Sequence, residues 1–469
     1  MPAFTETSIE AIQPVYDELQ TLFKSHKTRQ IEWRTNKLRL LKQLITENHS
    51  TLCDAVKADF GKPAYETAAT ELDPFVVEIS DAIKNVHKWA KPSKVSAGLQ
   101  FALMRPTIYH EPKGVALIIG AWNFPVLLVL QPLMAALSAG CPAIIKPSEL
   151  ASNTAATLAA LVPKYLDDCV KVVNGAVEQT TALLKLRFDH ILYTGNGTVG
   201  RIVAEAAAKH LTPLTLELGG KSPVVVFDDA NIETAGKRII WGKYLNAGQI
   251  CIAPDYVLCS KKTAPKLVEA MKKALAEFSK AHKTAPGDTS ELLESNRYTQ
   301  IISERHFQRI SKLLEETHGD VVIGGNTNEA TRRIEPTVVT NVDAEDSLMS
   351  GEIFGPILPI LACDSVQEMI DFINERDNPL ALYVFTSNSS NFKLVLDSTR
   401  SGGIAQNDVI MHVAPFQLPF GGSGASGYGA YHGKRGFEEF SHHRSSVSVP
   451  MWAEFALKFR YPPYSPSKL

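Results

Sequence analysis

Apolar residues recur at helical spacing among charged ones through the first part of the chain, most clearly over residues 31–46 and 66–90, and predict helices there. From Gly114 the texture changes to short apolar runs alternating with helical patterns. The runs predict strands at 115–120, 143–146, 170–173, 190–193, 215–218 and 224–227, with helices between them, notably over 153–163 and 199–210. A second alternating set runs from about Asn231 to Thr399, with strands expected near 256–259, 321–323, 358–363 and 381–385. Alternation of this kind predicts an α/β fold of doubly wound parallel sheets that bind ligands at the carboxyl ends of their strands. Two such lobes with a cleft between them is the economical arrangement.

Residues 114–145 hold no charge over 32 positions, long enough to span a bilayer. Pro125 and Pro132 interrupt the run and Gly114, Gly120 and Gly140 punctuate it, so a strand, a loop and a buried helix are expected instead, and no transmembrane span. The glycine-dense stretch 419–429 is expected to be a loop. No internal repeat or long linker is evident.

Size changes this picture little: 469 residues fit two or three domains. Composition is that of an ordinary globular protein, 45% hydrophobic and 21% charged. A net charge of −2, without a basic block, argues against a nucleic-acid partner. The six cysteines (53, 141, 169, 251, 259 and 363) lack Cys-x-x-Cys spacing. They read as free thiols in a reducing compartment, so no disulfide or metal site and a cytoplasmic location are expected. The N-terminus shows no basic segment followed by an apolar run, hence no signal peptide.

The chemistry concentrates in two segments. Asn246-Ala-Gly-Gln-Ile-Cys251 places a cysteine after a polar turn, and Glu217 ends an apolar run 34 residues earlier, ahead of Leu-Gly-Gly-Lys-Ser-Pro223. A thiolate that attacks and a carboxylate that takes a proton form a working pair. Taken alone, a lone cysteine is more often structural and a lone strand glutamate is more often solvated. No Lys, Arg or His stands within seven residues of Cys251, so any activation of its thiol must come from the fold.

Both segments resemble the signatures of the aldehyde dehydrogenase superfamily almost letter for letter. The resemblance implies that Cys251 attacks an aldehyde to form a thiohemiacetal and that Glu217 activates the water that hydrolyses the later thioester. It also implies that Asn123, in Trp122-Asn-Phe-Pro125, donates to the oxyanion. The stretch Gly195-Asn-Gly197-Thr-Val-Gly200 also fits Gly-x-Gly-x-x-Gly, a pattern that would assign Glu217 to a ribose. In the family the phosphate turn is the looser Gly-x-x-x-x-Gly, set by Gly195 and Gly200, and Gly197 is incidental. Lys146 and Glu149 then hold the ribose, while Glu352 and Phe354, in Gly351-Glu-Ile-Phe-Gly-Pro356, grip the nicotinamide end. The implied cofactor is NAD, with NADP also accepted. The implied division is a dinucleotide-binding domain of residues 1–92, 113–218 and 424–438 and a catalytic domain of 219–423. A β bridging or oligomerisation element takes 93–112 and 439–469.

Cys251-Ile-Ala-Pro-Asp-Tyr256, the block at 419–424 and Arg460-Tyr-Pro-Pro-Tyr464 are similar to the class 3 branch, which includes fatty aldehyde dehydrogenases and usually forms homodimers. Two departures stand out. Ile250 replaces a common threonine beside the nucleophile, and no hydrophobic anchor follows the tail. Residues 451–460 suit a short amphipathic helix, over the substrate tunnel or on a membrane surface. Ser467-Lys468-Leu469 spells a peroxisomal import signal. The expected reaction is oxidation of medium-to-long aliphatic or aromatic aldehydes to acids. A non-redox cysteine esterase or acyl-transferase, and an inactive binding protein of the same fold, are the rivals.

Overall fold

The computed structural model of the chain describes residues 1–279 and 290–464. Ser467-Lys468-Leu469 lies outside the described residues. Two large sheets and a three-stranded one carry the architecture, beside a two-stranded ribbon of Thr327–Asn328 and Arg333–Ile334. The first sheet has the spatial order Gly427–Tyr428, Leu214–Glu217, His190–Thr194, Ala116–Ile119, Ala143–Lys146, Val170–Val172. Five of its strands are parallel and the outermost pair is antiparallel. Chain order runs outward from Ala116–Ile119 in both directions, so the strand sequence reverses beside it and opens a crevice at the carboxyl ends.

Alternation along the central strand shows why the sheet is covered on both faces. Ala116 and Ile118 pack into one core with the helices Ile31–Glu47, Asp73–Trp89 and Leu127–Ala139. Val115, Leu117 and Ile119 pack into another with Ile9–Lys24 and Gly197–His210. The uncharged run thus resolves into a strand, a loop and the buried helix Leu127–Ala139. No helix among the described residues is long and apolar enough to cross a membrane.

The second sheet has seven strands, in the order Asp320–Ile323, Thr337–Thr340, Ile357–Cys363, Tyr256–Ser260, Pro223–Val226, Ala381–Phe385, Gly403–Gln406. All of its pairs are parallel except the first. Five residues, Leu218 to Ser222, connect the two sheets. The third sheet is antiparallel: Ser93–Lys94, Thr107–Pro112 and Ser441–Ser446. The α/β class and its doubly wound parallel sheets are as expected from the pattern of the chain.

Three local expectations are corrected. The helix expected over 66–90 is broken into Ala64–Thr67, a π turn at Ala68–Leu72 and Asp73–Trp89. Pro74 lacks an N–H and its ring crowds the carbonyl four residues back, so a uniform α ladder cannot pass that point. The glycine-rich loop at 419–429 contains a two-residue strand in which Gly427 faces Glu217. Gly427 has φ +119° and sits so close to the Leu216 carbonyl that a Cβ would collide with it. Residues 451–460 form a one-turn α-helix, Glu454–Leu457, between two 3₁₀ turns, in place of a continuous helix.

Candidate active site

The segment before Cys251 is held in an unusual shape. Asn246, Ala247 and Gly248 have φ of +51°, +50° and +71°, three left-handed residues in succession. Gly248 needs its missing Cβ, which would strike the Gly355 carbonyl. Two non-glycine residues there carry a conformational cost that surrounding contacts must offset. Gln249 supplies many of those contacts. Its Nε2 donates to Asn246 O and Gln300 O, both at 3.0 Å, and its Oε1 accepts from the Ile302 N–H at 3.0 Å. The Gln249 carbonyl accepts from Asn123 Nδ2 at 3.1 Å and Asn246 Nδ2 at 3.0 Å. Asn123 is therefore fixed against the backbone two residues before the thiol, and is itself only 3% exposed.

The Cys251 thiol is half-buried, and its pKa is pushed far up, first by burial and then by the charges of Glu352 and Glu217. The N–H groups of Cys251 and Ile252 oppose that shift only in part. The side-chain charges that act most on the thiol are thus those of acids. A protonated thiol at rest needs a neighbouring base.

Glu217 ends its strand 2% exposed, and among the described residues neither carboxylate oxygen has a hydrogen-bond partner. Burial raises its pKa well above the usual carboxylate range, and Glu439 adds to the shift. Tyr431 is buried against Phe420 and His432, and its pKa is raised by burial first and then by the charges of Glu217 and Cys251. Glu352 rests against Gly219, where a Cβ would collide with it. Its pKa is raised to about 8 by burial and by Asp255, against the pull of the Gly220 N–H, Lys221 and Lys243. The two carboxylates and the thiol form one electrostatic cluster, and Asn123 joins it through Gln249.

The other expected residues lie along the crevice of the first sheet. Ile119, Lys146 and Tyr193 are in register at the carboxyl ends of adjoining strands. Lys146 Nζ pairs with Glu149 Oε2 at 2.9 Å. Gly195 lies against the Tyr193 hydroxyl and Gly200 against Leu218, so a side chain at either would displace its neighbour. At Gly197 the nearest atom to an added Cβ would be Arg201 Nη1 at 3.8 Å, so that glycine is not required. Asn196 Oδ1 caps the helix Gly197–His210 by accepting from the Val199 N–H at 3.0 Å, and Thr194 Oγ1 is buried without a partner. Phe354, at φ +48°, sets its ring edge-on to Trp122 at 5.3 Å, next to the Asn123 loop. A dinucleotide fits this set: strand ends, a helix N-terminus, an orphaned hydroxyl and a paired lysine and glutamate line one crevice.

Several contributors were not singled out in the sequence. Lys221 Nζ pairs with Asp255 Oδ2 at 2.6 Å and Lys243 Nζ lies 3.7 Å from Asp255 Oδ1. Lys221 and Asp255 stand inside the quoted motifs, yet only the fold shows them meeting. Lys62, Glu66, Glu71 and Tyr431 belong to segments with no motif, and no local signal marks them. Ile250, next to the cysteine in sequence, is 5% exposed and packs in an apolar cluster that also holds Phe124, Val413 and Phe420.

The chain matches the model of the aldehyde dehydrogenase family over residues 3–446. It is 47% identical over 452 residues to aldehyde dehydrogenase family 3 member A2 of Rattus norvegicus, covering 96% of this chain and 91% of that one. It is 45% identical over 453 residues to the dimeric NADP-preferring aldehyde dehydrogenase of Canis lupus familiaris, covering 96% and 98%. Among solved structures, the substrate-bound state of Staphylococcus aureus AldH superposes with a TM-score of 0.90 at 38% identity, covering 97% of each chain.

Proposed function

Because the chain belongs to the aldehyde dehydrogenase family, we propose that Cys251 is its nucleophile, Glu217 its general base and Asn123 its oxyanion donor. The reaction is NAD(P)-dependent oxidation of an aldehyde to a carboxylic acid. The observation that carries the residue assignment is the Glu217 carboxylate, buried beside Cys251 with both oxygens unpaired.

The Cys251 S–H gives up its proton to Glu217, which passes it on to solvent and is free again, as sulfur bonds to the carbonyl carbon. The resulting oxyanion lies by the Asn123 amide and the Cys251 N–H, donors that in such sites are worth ~10²–10³ in rate. A bound nicotinamide cofactor would supply the two-electron oxidation, taking the hydride from the thiohemiacetal carbon so that Cys251 is left carrying a thioester. Glu217 then takes a proton from water, the new oxygen bonds to the acyl carbon, and the carbon–sulfur bond breaks. A raised pKa suits Glu217 to this task near neutrality. Lys146 and Glu149 would hold the adenosine ribose, Gly195 and Gly200 would admit the pyrophosphate, and Glu352 and Phe354 would fix the nicotinamide end.

The apolar cluster around Ile250, Phe124, Val413 and Phe420 favours medium-to-long aliphatic or aromatic aldehydes. The small third sheet, with Leu99, Tyr109 and Val447 exposed around it, is the proposed homodimer face. Met451, Trp452 and Phe455 are also largely exposed and suit contact with a membrane surface. Absorbance at 340 nm with hexanal, dodecanal and benzaldehyde, each with NAD and NADP, tests the reading. A rise lost in Cys251→Ser supports it, and ester hydrolysis without aldehyde oxidation would favour the non-redox rival.

A further inference from the structure

One short segment of the N-terminal helical region reaches both halves of the catalytic centre. Glu71 Oε2 accepts from the Val126 N–H at 3.1 Å and the Leu127 N–H at 3.2 Å, at the start of the helix that follows Asn123-Phe124-Pro125. Its Oε1 accepts from Lys62 Nζ at 3.0 Å, in an ion pair whose two side chains are fully buried. Lys62 Nζ also stands over the Phe124 ring, 4.2 Å from its centre. Five residues before Glu71, Glu66 Oε1 accepts from the Asn246 N–H at 2.7 Å. Asn246 is the first of the three left-handed residues that lead to Cys251.

A buried ion pair of this kind is not needed to stabilise a core, where apolar packing would serve as well. Here it anchors the loop that carries Asn123. Glu66 performs the matching task on the nucleophile side. The Glu66 oxygen gives the Asn246 N–H an acceptor, and a buried N–H left without one is costly. This bond acts on the residue where the chain leaves the helix Ile232–Tyr244 and enters the strained turn. Burial pushes the Glu66 pKa up, while Lys62 and the Asn246 N–H pull it down and Glu71 opposes them.

We propose that Glu66 is a positioning residue: by holding the Asn246 N–H it fixes the left-handed turn and so places the Cys251 thiol against Asn123. The Lys62–Glu71 pair, on the same segment, holds the Asn123 side of that geometry. The inference rests on the assignment of Cys251 as nucleophile. It concerns acceptor geometry at one atom, so the conservative replacement discriminates. Glu66→Gln keeps an acceptor oxygen at the same reach, whereas Glu66→Met fills the same space without one.

The test measures kcat and KM for decanal, and the rate of Cys251 alkylation by iodoacetamide followed by mass, on the full chain. Glu66→Met is expected to lower both kcat and the alkylation rate by about 10- to 100-fold, the scale of an ångström-sized misplacement, with KM little changed. Glu66→Gln is expected to keep both near wild type. Glu66→Met behaving as wild type, or Glu66→Gln falling as far as Glu66→Met, overturns the proposal. Should Glu66→Met not fold, Glu66→Asp withdraws the acceptor by one methylene and carries the same expectation and the same contrary result. Cys251→Ser separates the two readings. If it oxidises aldehydes the nucleophile assignment fails, whereas the alkylation rate reads the role of Glu66 alone.

Discussion

Lys221 Nζ donates to Asp255 Oδ2 at 2.6 Å, and this one bond joins the segment after Glu217 to the segment after Cys251. The other oxygen of Asp255 accepts from the Ile353 N–H at 3.1 Å, next to Glu352, so three motifs distant in sequence converge on one carboxylate. Lys221 also donates to the Leu348 and Gly351 carbonyls at 2.7 and 2.9 Å. Removing Asp255 takes from Lys221 and the fully buried Lys243, whose pKa is already lowered to about 8, the carboxylate with which both are paired. Breaking a buried pair from one side costs about 3–5 kcal/mol. Asp255→Ala is therefore expected to melt well below wild type in a thermal scan, and an unchanged melting temperature would show the junction to be unimportant.

The thiol should be read through its acids. Glu352 and Glu217 both raise the Cys251 pKa, with Glu352 the larger of the two charges. Neutralising either stabilises the thiolate, so the alkylation rate of Cys251 should rise at lower pH in Glu352→Gln, and less so in Glu217→Gln. Stopped alkylation across a pH series measures this directly. A profile that moves to higher pH in Glu352→Gln would mean that the two groups do not face each other.

Glu439 raises Glu217, and its Oε1 accepts from Thr215 Oγ1 at 2.9 Å, two residues before Glu217 on the same strand. A base works when ionised, so a raised pKa places the rising limb of activity at higher pH. Glu439→Gln removes a like charge and lowers the Glu217 pKa. The rising, acid-side limb of kcat under thioester-hydrolysis-limited conditions should accordingly move to lower pH. A limb that stays in place would detach Glu439 from the base.

The glycines divide by the space around them. Gly197→Ala meets only a distant Arg201 guanidinium and should leave the KM for NAD near its wild-type value. Gly248→Ala combines φ +71° with a backbone collision at the Gly355 carbonyl, which cannot swing aside. That variant should lose activity by orders of magnitude. Equal effects of the two substitutions in steady-state kinetics would refute this reading of the turn.

Much of this architecture is legible in the chain because its strands are buried on both faces and read as compact apolar runs between helical patterns. The 143–146 and 381–385 strands match to the residue. Positions such as Cys251, Glu217 and Glu352 stand out in the sequence for a different reason: they sit in segments that match family signatures, and the roles proposed for them rest on that match. Glu66 is not legible, since its role depends on a partner 180 residues away. The thiol's acidic surroundings were equally hidden, because Glu217 and Glu352 reach Cys251 only through the junction of the two sheets. Proline-induced π geometry at 68–72 escaped the helical pattern, which continues smoothly across it.

The most direct measurement is the mass of each cysteine-containing peptide after Glu217→Gln is incubated with decanal and NAD. Without its base the thioester should persist, so the account predicts a decanoyl group on the peptide that contains Cys251 and on no other. A decanoyl group on a different cysteine, or turnover at the wild-type rate with no adduct, would contradict it.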